Sequence, residues 1–220
     1  MLNSGYRSQQ YCYFDDNNYF SNISGCSDDT KLLYLTTAPR GANGWCDLEG
    51  DEFMVLGIYD FVLRLPPVPK RGLYEIRMGC SLNSLRGMCQ IYFGENPNSL
   101  TPVGLPFDMR MSTTDDNVGW FSESSLDDAA IQEKDKNMRN QGYMKGPKGF
   151  CISNGDASSL ARDYSGNVRR IVTTVSMDPD KSYYLRFKSC LDDDASQFFT
   201  DYFEFCPSKV YNGVEPEDKW

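Results

Sequence analysis

The chain predicts an all-β fold, an antiparallel β-sandwich of jelly-roll type, and three features of the sequence predict it. Apolar residues alternate at Tyr59, Phe61, Leu63 and Leu65, then at Tyr74, Ile76, Met78 and Cys80, and then at Cys89, Ile91 and Phe93. A period of two marks a strand with one face in a core and one in water. Fourteen Tyr and 13 Phe supply the large side chains that cross-strand packing uses. Short connections between the three alternating runs predict an antiparallel meander. Such folds carry function on loops more often than in a deep cleft.

Along the chain, residues 1–46 are polar and aromatic and form an N-terminal extension, with a short strand expected at Leu32–Leu35 and a turn at Asn43-Gly44. Residues 94–106 hold three prolines and two glycines and are expected as loop. Phe107, Met109 and Met111 alternate as a further short strand. An insertion at 112–167 interrupts the pattern. Ser124 followed by Asp127 has capping-box spacing, and a surface helix is expected from there to about Asn140, with Leu126, Ala130, Ile131 and Met138 as a thin apolar stripe. Residues 142–166 read as an elaborated loop of the kind that is often functional. Strands resume at Val168–Ser176 and Ser182–Ser189, around the turn Asp178-Pro179-Asp180, and the last runs from Phe199 to Cys206. The whole is one domain of 220 residues with an acidic tail from 207 to 220.

The net charge of −9 argues against nucleic acid and against an anionic membrane surface, both of which need a basic face. Neutral ligands such as sugars remain open, as do cations. With no histidine, Ser-His-Asp and Cys-His catalysis and His-based zinc sites are excluded. The eight cysteines contain no CxxC pair, so a zinc ribbon is a poor reading. They serve either as small hydrophobes or as disulfides; Cys80–Cys89 and Cys12–Cys26 are the pairs to test. No apolar run reaches the ~20 residues that span a bilayer. The polar start after Met1 reads like the middle of a longer chain whose leader lies elsewhere.

In the last strand, Asp201 shares its phase with Phe199, Phe203 and Phe205. A carboxylate on a core face has to be hydrogen-bonded, paired or bound to metal. Backbone amides or an arginine satisfy it on one reading. On the other, a structural calcium ion does, with Glu52 and its neighbours Asp47, Glu49 and Asp51 as oxygen donors.

The segments GLYEIRMG, NSLRGMCQIYFGEN, SYYLRFKSCLDD and DYFEFCPSKVY resemble a C-terminal module of Bacteroidetes surface lipoproteins that carry a fasciclin domain upstream. PPVPKRGLYEIRMG and RRIVTTVSMDPDKSYYLRFKS resemble galactose-binding-like carbohydrate-binding sandwiches, which share a Gly-x-Tyr strand, an Arg-containing hairpin and an Asp-aromatic-x-Glu final strand. The likeness covers about Asp51 to Tyr211. It implies a secreted, lipid-anchored, non-enzymatic module at the cell surface, and it assigns Asp201 the role of a calcium ligand. The long insertion and the eight cysteines depart from it.

Glycan binding or adhesion is therefore the expected function. A sugar needs an aromatic ring for its C–H face and a few polar groups for its hydroxyls. Trp45, Trp120, Tyr143 and Tyr164 are the loop aromatics in reach, and Asn83 and Arg86 the polar partners. Each has a plain structural alternative: loop packing for the rings, and bonds to loop carbonyls for the guanidinium. A structural module docking neighbouring domains or a protein partner is the competing expectation. A carboxylate-pair glycosidase comes third, because no spacing among the acids singles out a pair.

Overall fold

The computed structural model describes residues 10–13, 22–36, 47–48, 51–147, 149–153 and 156–210. The strands in chain order are β1 (Gln10–Tyr13), β2 (Ile23–Ser24), β3 (Lys31–Thr36), β4 (Asp47–Leu48), β5 (Asp51–Leu56), β6 (Asp60–Arg64), β7 (Gly72–Cys80), β8 (Met88–Asn96) and β9 (Ser99–Asp108). After helix α1 (Asp128–Asn140) come β10 (Tyr143–Lys145), β11 (Phe150–Ser153), β12 (Asp156–Leu160), β13 (Val168–Met177), β14 (Tyr184–Ser189), β15 (Gln197–Thr200) and β16 (Phe203–Pro207). The named strands all pair antiparallel. A five-stranded sheet in the order β2-β6-β14-β8-β9 and a four-stranded sheet in the order β10-β13-β7-β16 contribute to one apolar core, and two smaller sheets, β1-β3-β5-β15 and β12-β11-β4, complete the fold.

The expected all-β sandwich with one helix is what the chain forms. The expected meander is not. β6 pairs with β2 and β14, β8 pairs with β14 and β9, and β7 lies in the other sheet between β13 and β16. Alternation identifies a strand but not its neighbour, and the Pro66–Pro69 break carries the chain across the sandwich instead of into a hairpin. Successive strands β6, β7 and β8 therefore switch sheets, as in a jelly roll.

The core forms where the inward phases meet. Tyr74, Ile76, Met78 and Cys80 of β7, Phe61 of β6, Leu185 and Phe187 of β14, and Cys89 and Ile91 of β8 are all buried in one cluster. Phe187 sits 4.9 Å from Phe198 and stacks on Phe61 at 5.3 Å between ring centroids. Each such side chain contributes about 1.5–3 kcal/mol when fully buried. Cys80 and Cys89 lie on strands of opposite sheets, and Cys89 is a free buried thiol, so the cross-hairpin disulfide does not form. Cys26 is also free, which removes the pair with Cys12.

Three further expectations change. Residues 99–108 form strand β9 although 94–106 was expected as loop, and the strand ends at Asp108, so Met109 and Met111 lie outside it. β9 is a sheet edge, and Pro102 and Pro106 are tolerated there because an edge strand leaves part of its ladder unpaired. The helix starts later than expected: Asp127 is the cap, its carboxylate accepting the Ala130 amide at 2.9 Å. The loop expected over 142–166 contains β10, β11 and β12, three short strands whose partners come from distant segments or a tight hairpin.

The last strand is broken. β15 joins β5, β16 joins β7, and Asp201-Tyr202 is the switch between them. Phe198 belongs to the main core, Phe199 to a second cluster with Leu33 and Met54, and Phe203 and Phe205 return to the main core. The single phase that placed Asp201 among phenylalanines does not exist.

Candidate functional site

The two main sheets turn very different outer faces away from the core. On the four-stranded sheet, the outward side chains of β7 are themselves buried: Glu75 is 8% exposed and Arg77 3%. The insertion lies over them. Arg77 donates from Nε to Glu75 at 2.6 Å, and Arg139, in the last turn of α1, reaches the other oxygen of Glu75 at 2.5 Å. Arg169 of β13 bonds Glu204 of β16 at 3.2 Å and the carbonyl of Lys145 at 2.7 Å. Lys145 bonds Glu123 at 2.8 Å, Arg162 meets the same carboxylate at 2.7 Å, and Arg162 closes on Asp135 of α1 at 2.5 Å. Burial opposes ionisation of Glu123, but the Lys145 hydrogen bond and the Arg162 charge outweigh it and hold the carboxyl below the usual glutamate range. This layer fastens the insertion to the sheet.

On the five-stranded sheet, the described outer-phase side chains are half-buried to exposed, apart from buried Val62. Its inward phase carries Phe61, Leu185, Phe187, Cys89 and Ile91, all buried. Its outward phase carries three cross-strand rows fixed by register. Tyr92 lies opposite Pro102 on one side and Arg186 on the other, with Val62 beyond. Tyr184 lies between Gly94 and Arg64, and Lys188 between Gln90 and Asp60. Tyr92 and Tyr184 are half-buried, while Arg64 and Lys188 are exposed. The turn at Gly25 covers Val62 at one margin.

The centre of this face is held in place. Arg186 makes a two-point bond to Asp60, Nε to Oδ1 at 2.6 Å and Nη2 to Oδ2 at 2.5 Å, and its guanidinium lies 5.4 Å from the centroid of the Tyr92 ring. Gln90 is anchored by donating to the Ile91 carbonyl at 2.9 Å. Tyr92 and Tyr184 are diagonal neighbours across β8 and β14, which sets them roughly 7–8 Å apart. Two rings at that separation, with hydrogen-bonding groups fixed beside them, can stack on the apolar faces of an extended ligand and bond its hydroxyls.

Among the described residues, those expected from sequence lie off this face. Trp45 lies outside the described residues. Asn83 and Arg86 occupy the β7–β8 connection. Asn83 accepts the Leu85 amide at 2.9 Å, and Arg86 bonds the Ser81 hydroxyl at 3.0 Å and the Gln197 amide oxygen while stacking 3.7 Å from the Phe199 ring centroid. Trp120 is half-buried within the insertion, with Lys145 Nζ 5.1 Å from its ring and its buried indole N–H without a partner among the described residues. Tyr143 is a strand residue, 3% exposed, under the Arg170 guanidinium at 4.7 Å. Tyr164 is half-buried beside Gly166.

For calcium, the β5–β15 ladder ends with Phe53 opposite Thr200, one residue short of Glu52 opposite Asp201. The side chain of Glu52 lies outside the described residues. Asp201 Oδ2 accepts the Asn167 amide at 3.4 Å. Calcium takes six to eight oxygens, and among the described residues no three Asp, Glu or Cys side chains gather as a metal would require. Glu49 and the side chains of the other candidate donors, Asp47 and Asp51, also lie outside the described residues.

Sequence reasoning missed Tyr92, Tyr184, Arg186 and Gln90, although the off-phase positions of CQIYF and SYYLRFKS carry them. No protein-family model matches the chain, and no curated protein matches it. A solved pectin-binding carbohydrate-binding module is similar over 84% of this chain and 88% of its own, at 9% identity and a TM-score of 0.30. A likeness of that size decides nothing about ligand.

Proposed function

We propose that this chain is a non-catalytic glycan-binding module and that the open face of the five-stranded sheet is its binding surface. The diagonal pair Tyr92 and Tyr184, with the Arg186–Asp60 clamp beside it, carries the reading. Half-exposed aromatic rings on a sheet face do not help the core, and a two-point ion pair fixes donors where a ligand would meet them. Adhesion through surface polysaccharide and display at the cell envelope accord with this role, and the sequence resemblance favours them. Retardation of the protein in gels containing polysaccharide tests it: retention that Tyr92→Ala or Tyr184→Ala weakens supports the reading. No retention on any polysaccharide, with a protein partner seated on the same tyrosines, would replace it with the docking-module alternative.

A further inference from the structure

We infer that the glycan taken by this face is acidic, a polymer of uronic acids, and this rests on the glycan reading above. The chain carries a net charge of −9, yet the face runs against that balance. The register puts Arg64, Arg186 and Lys188 on it, with Asp60 between β2 and β14 as their carboxylate neighbour. At the far end, Asp108 lies opposite Met88 and is closed by a two-point bond to Arg110 at 2.8 and 2.7 Å. Asp60 is likewise taken up by Arg186. Arg64 and Lys188 are exposed, Arg64 reaching the Ser182 hydroxyl at 3.3 Å.

The placement follows the tyrosines. Arg64 is directly opposite Tyr184, and Lys188 is four residues along the same strand, about 13 Å away. Lys188, opposite Gln90, is in turn a diagonal neighbour of Tyr92, so a chain of sugars crossing the two rings passes Arg64 beside Tyr184 and Lys188 beside Tyr92. A planar carboxylate suits a guanidinium fork, and Lys188 adds a point charge. An acidic protein with a basic recognition face also excludes acidic polymers from the rest of its surface and steers them to this one.

The test uses the whole chain and the double variant Arg64→Ala/Lys188→Ala in gels containing alginate, a neutral galactomannan or dextran sulfate, at low and high salt. Both substitutions are at exposed positions, so the variant is expected to keep its Tm. The inference expects alginate retention that salt weakens and that falls about tenfold in the variant, with neutral-glycan retention unchanged. Retention on galactomannan but not alginate, or an unaltered variant, overturns the acidic preference and leaves the glycan reading standing. Dextran sulfate retained as strongly as alginate, and lost in the same variant, overturns it as plain ion exchange. No retention on any of the three sinks the glycan reading itself.

Discussion

The two outer faces of this sandwich start from the same alternating pattern and end differently. On β7 and β13 the polar phase is roofed by the insertion, and its charges are consumed in pairs: Arg77 with Glu75 and Glu204, Arg139 with Glu75, Arg169 with Glu204. On β14 and β8 the polar phase is half-buried to exposed, and the fixed groups, Tyr92, Tyr184 and Arg186, remain within reach of a ligand. A polar strand face therefore holds the fold together or meets a partner according to what covers it. Stability and binding should separate along that line.

The largest stability effect belongs to the covered face. Glu123→Gln leaves Lys145, whose side chain is fully buried, facing an amide, and takes one carboxylate from Arg162. Breaking a buried pair costs about 3–5 kcal/mol; Glu123 keeps 20% exposure, so about 2 kcal/mol is expected, a fall in Tm of roughly 6 °C by calorimetry. Glycan binding should not change. Because Glu123 is held below its ordinary 4.5, its contribution is present above that pH and is lost as the pH falls through the lowered value. The gap between wild type and variant should therefore close in acid; a gap that widens there contradicts the assignment.

The open face should behave in the opposite way. Tyr184→Ala is expected to weaken glycan binding about tenfold, read by calorimetric titration, while Tm moves by no more than about 2 °C. A large Tm loss with intact binding would make Tyr184 a packing residue and erase the distinction.

Between the faces, the core thiols offer a smaller readout. Burial pushes the Cys89 thiol up to about 12, with the Tyr59 hydroxyl opposing in part. In the native protein, an alkylating reagent at neutral pH should label exposed Cys190 and spare Cys89, as mass spectrometry of digested peptides reports. Labelling of Cys89 at the rate of Cys190 would mean the core opens readily.

The smallest expected effect is that of chelation. Asp201 already accepts the Asn167 amide, and EGTA should leave Tm unchanged. A clear fall would restore an ion at the β15–β16 switch.

Much of the frame is legible in the chain. β7 and β8 can be read from Tyr74 to Cys80 and Cys89 to Phe93, because one apolar, core-facing phase forces strict alternation. The helix can be read from its polar periodicity, though its cap falls at Asp127. β10 to β12 cannot, because three to five residues carry too little pattern and their pairing is decided by distant partners. The candidate site is hidden for a related reason. Tyr92 and Tyr184 stand plainly at off-phase positions, but so do Glu75 and Arg77, and nothing local says which phase the insertion will cover. Asp201 misleads because a two-residue break resets the phase of the final strand.

The most direct test of the open-face account is affinity electrophoresis of the Tyr92→Ala/Tyr184→Ala double variant beside Glu123→Gln and wild type on the same polysaccharide. The account predicts that wild type and Glu123→Gln are retarded alike and that the double variant runs free with its Tm intact. Retardation of the double variant equal to wild type would contradict it.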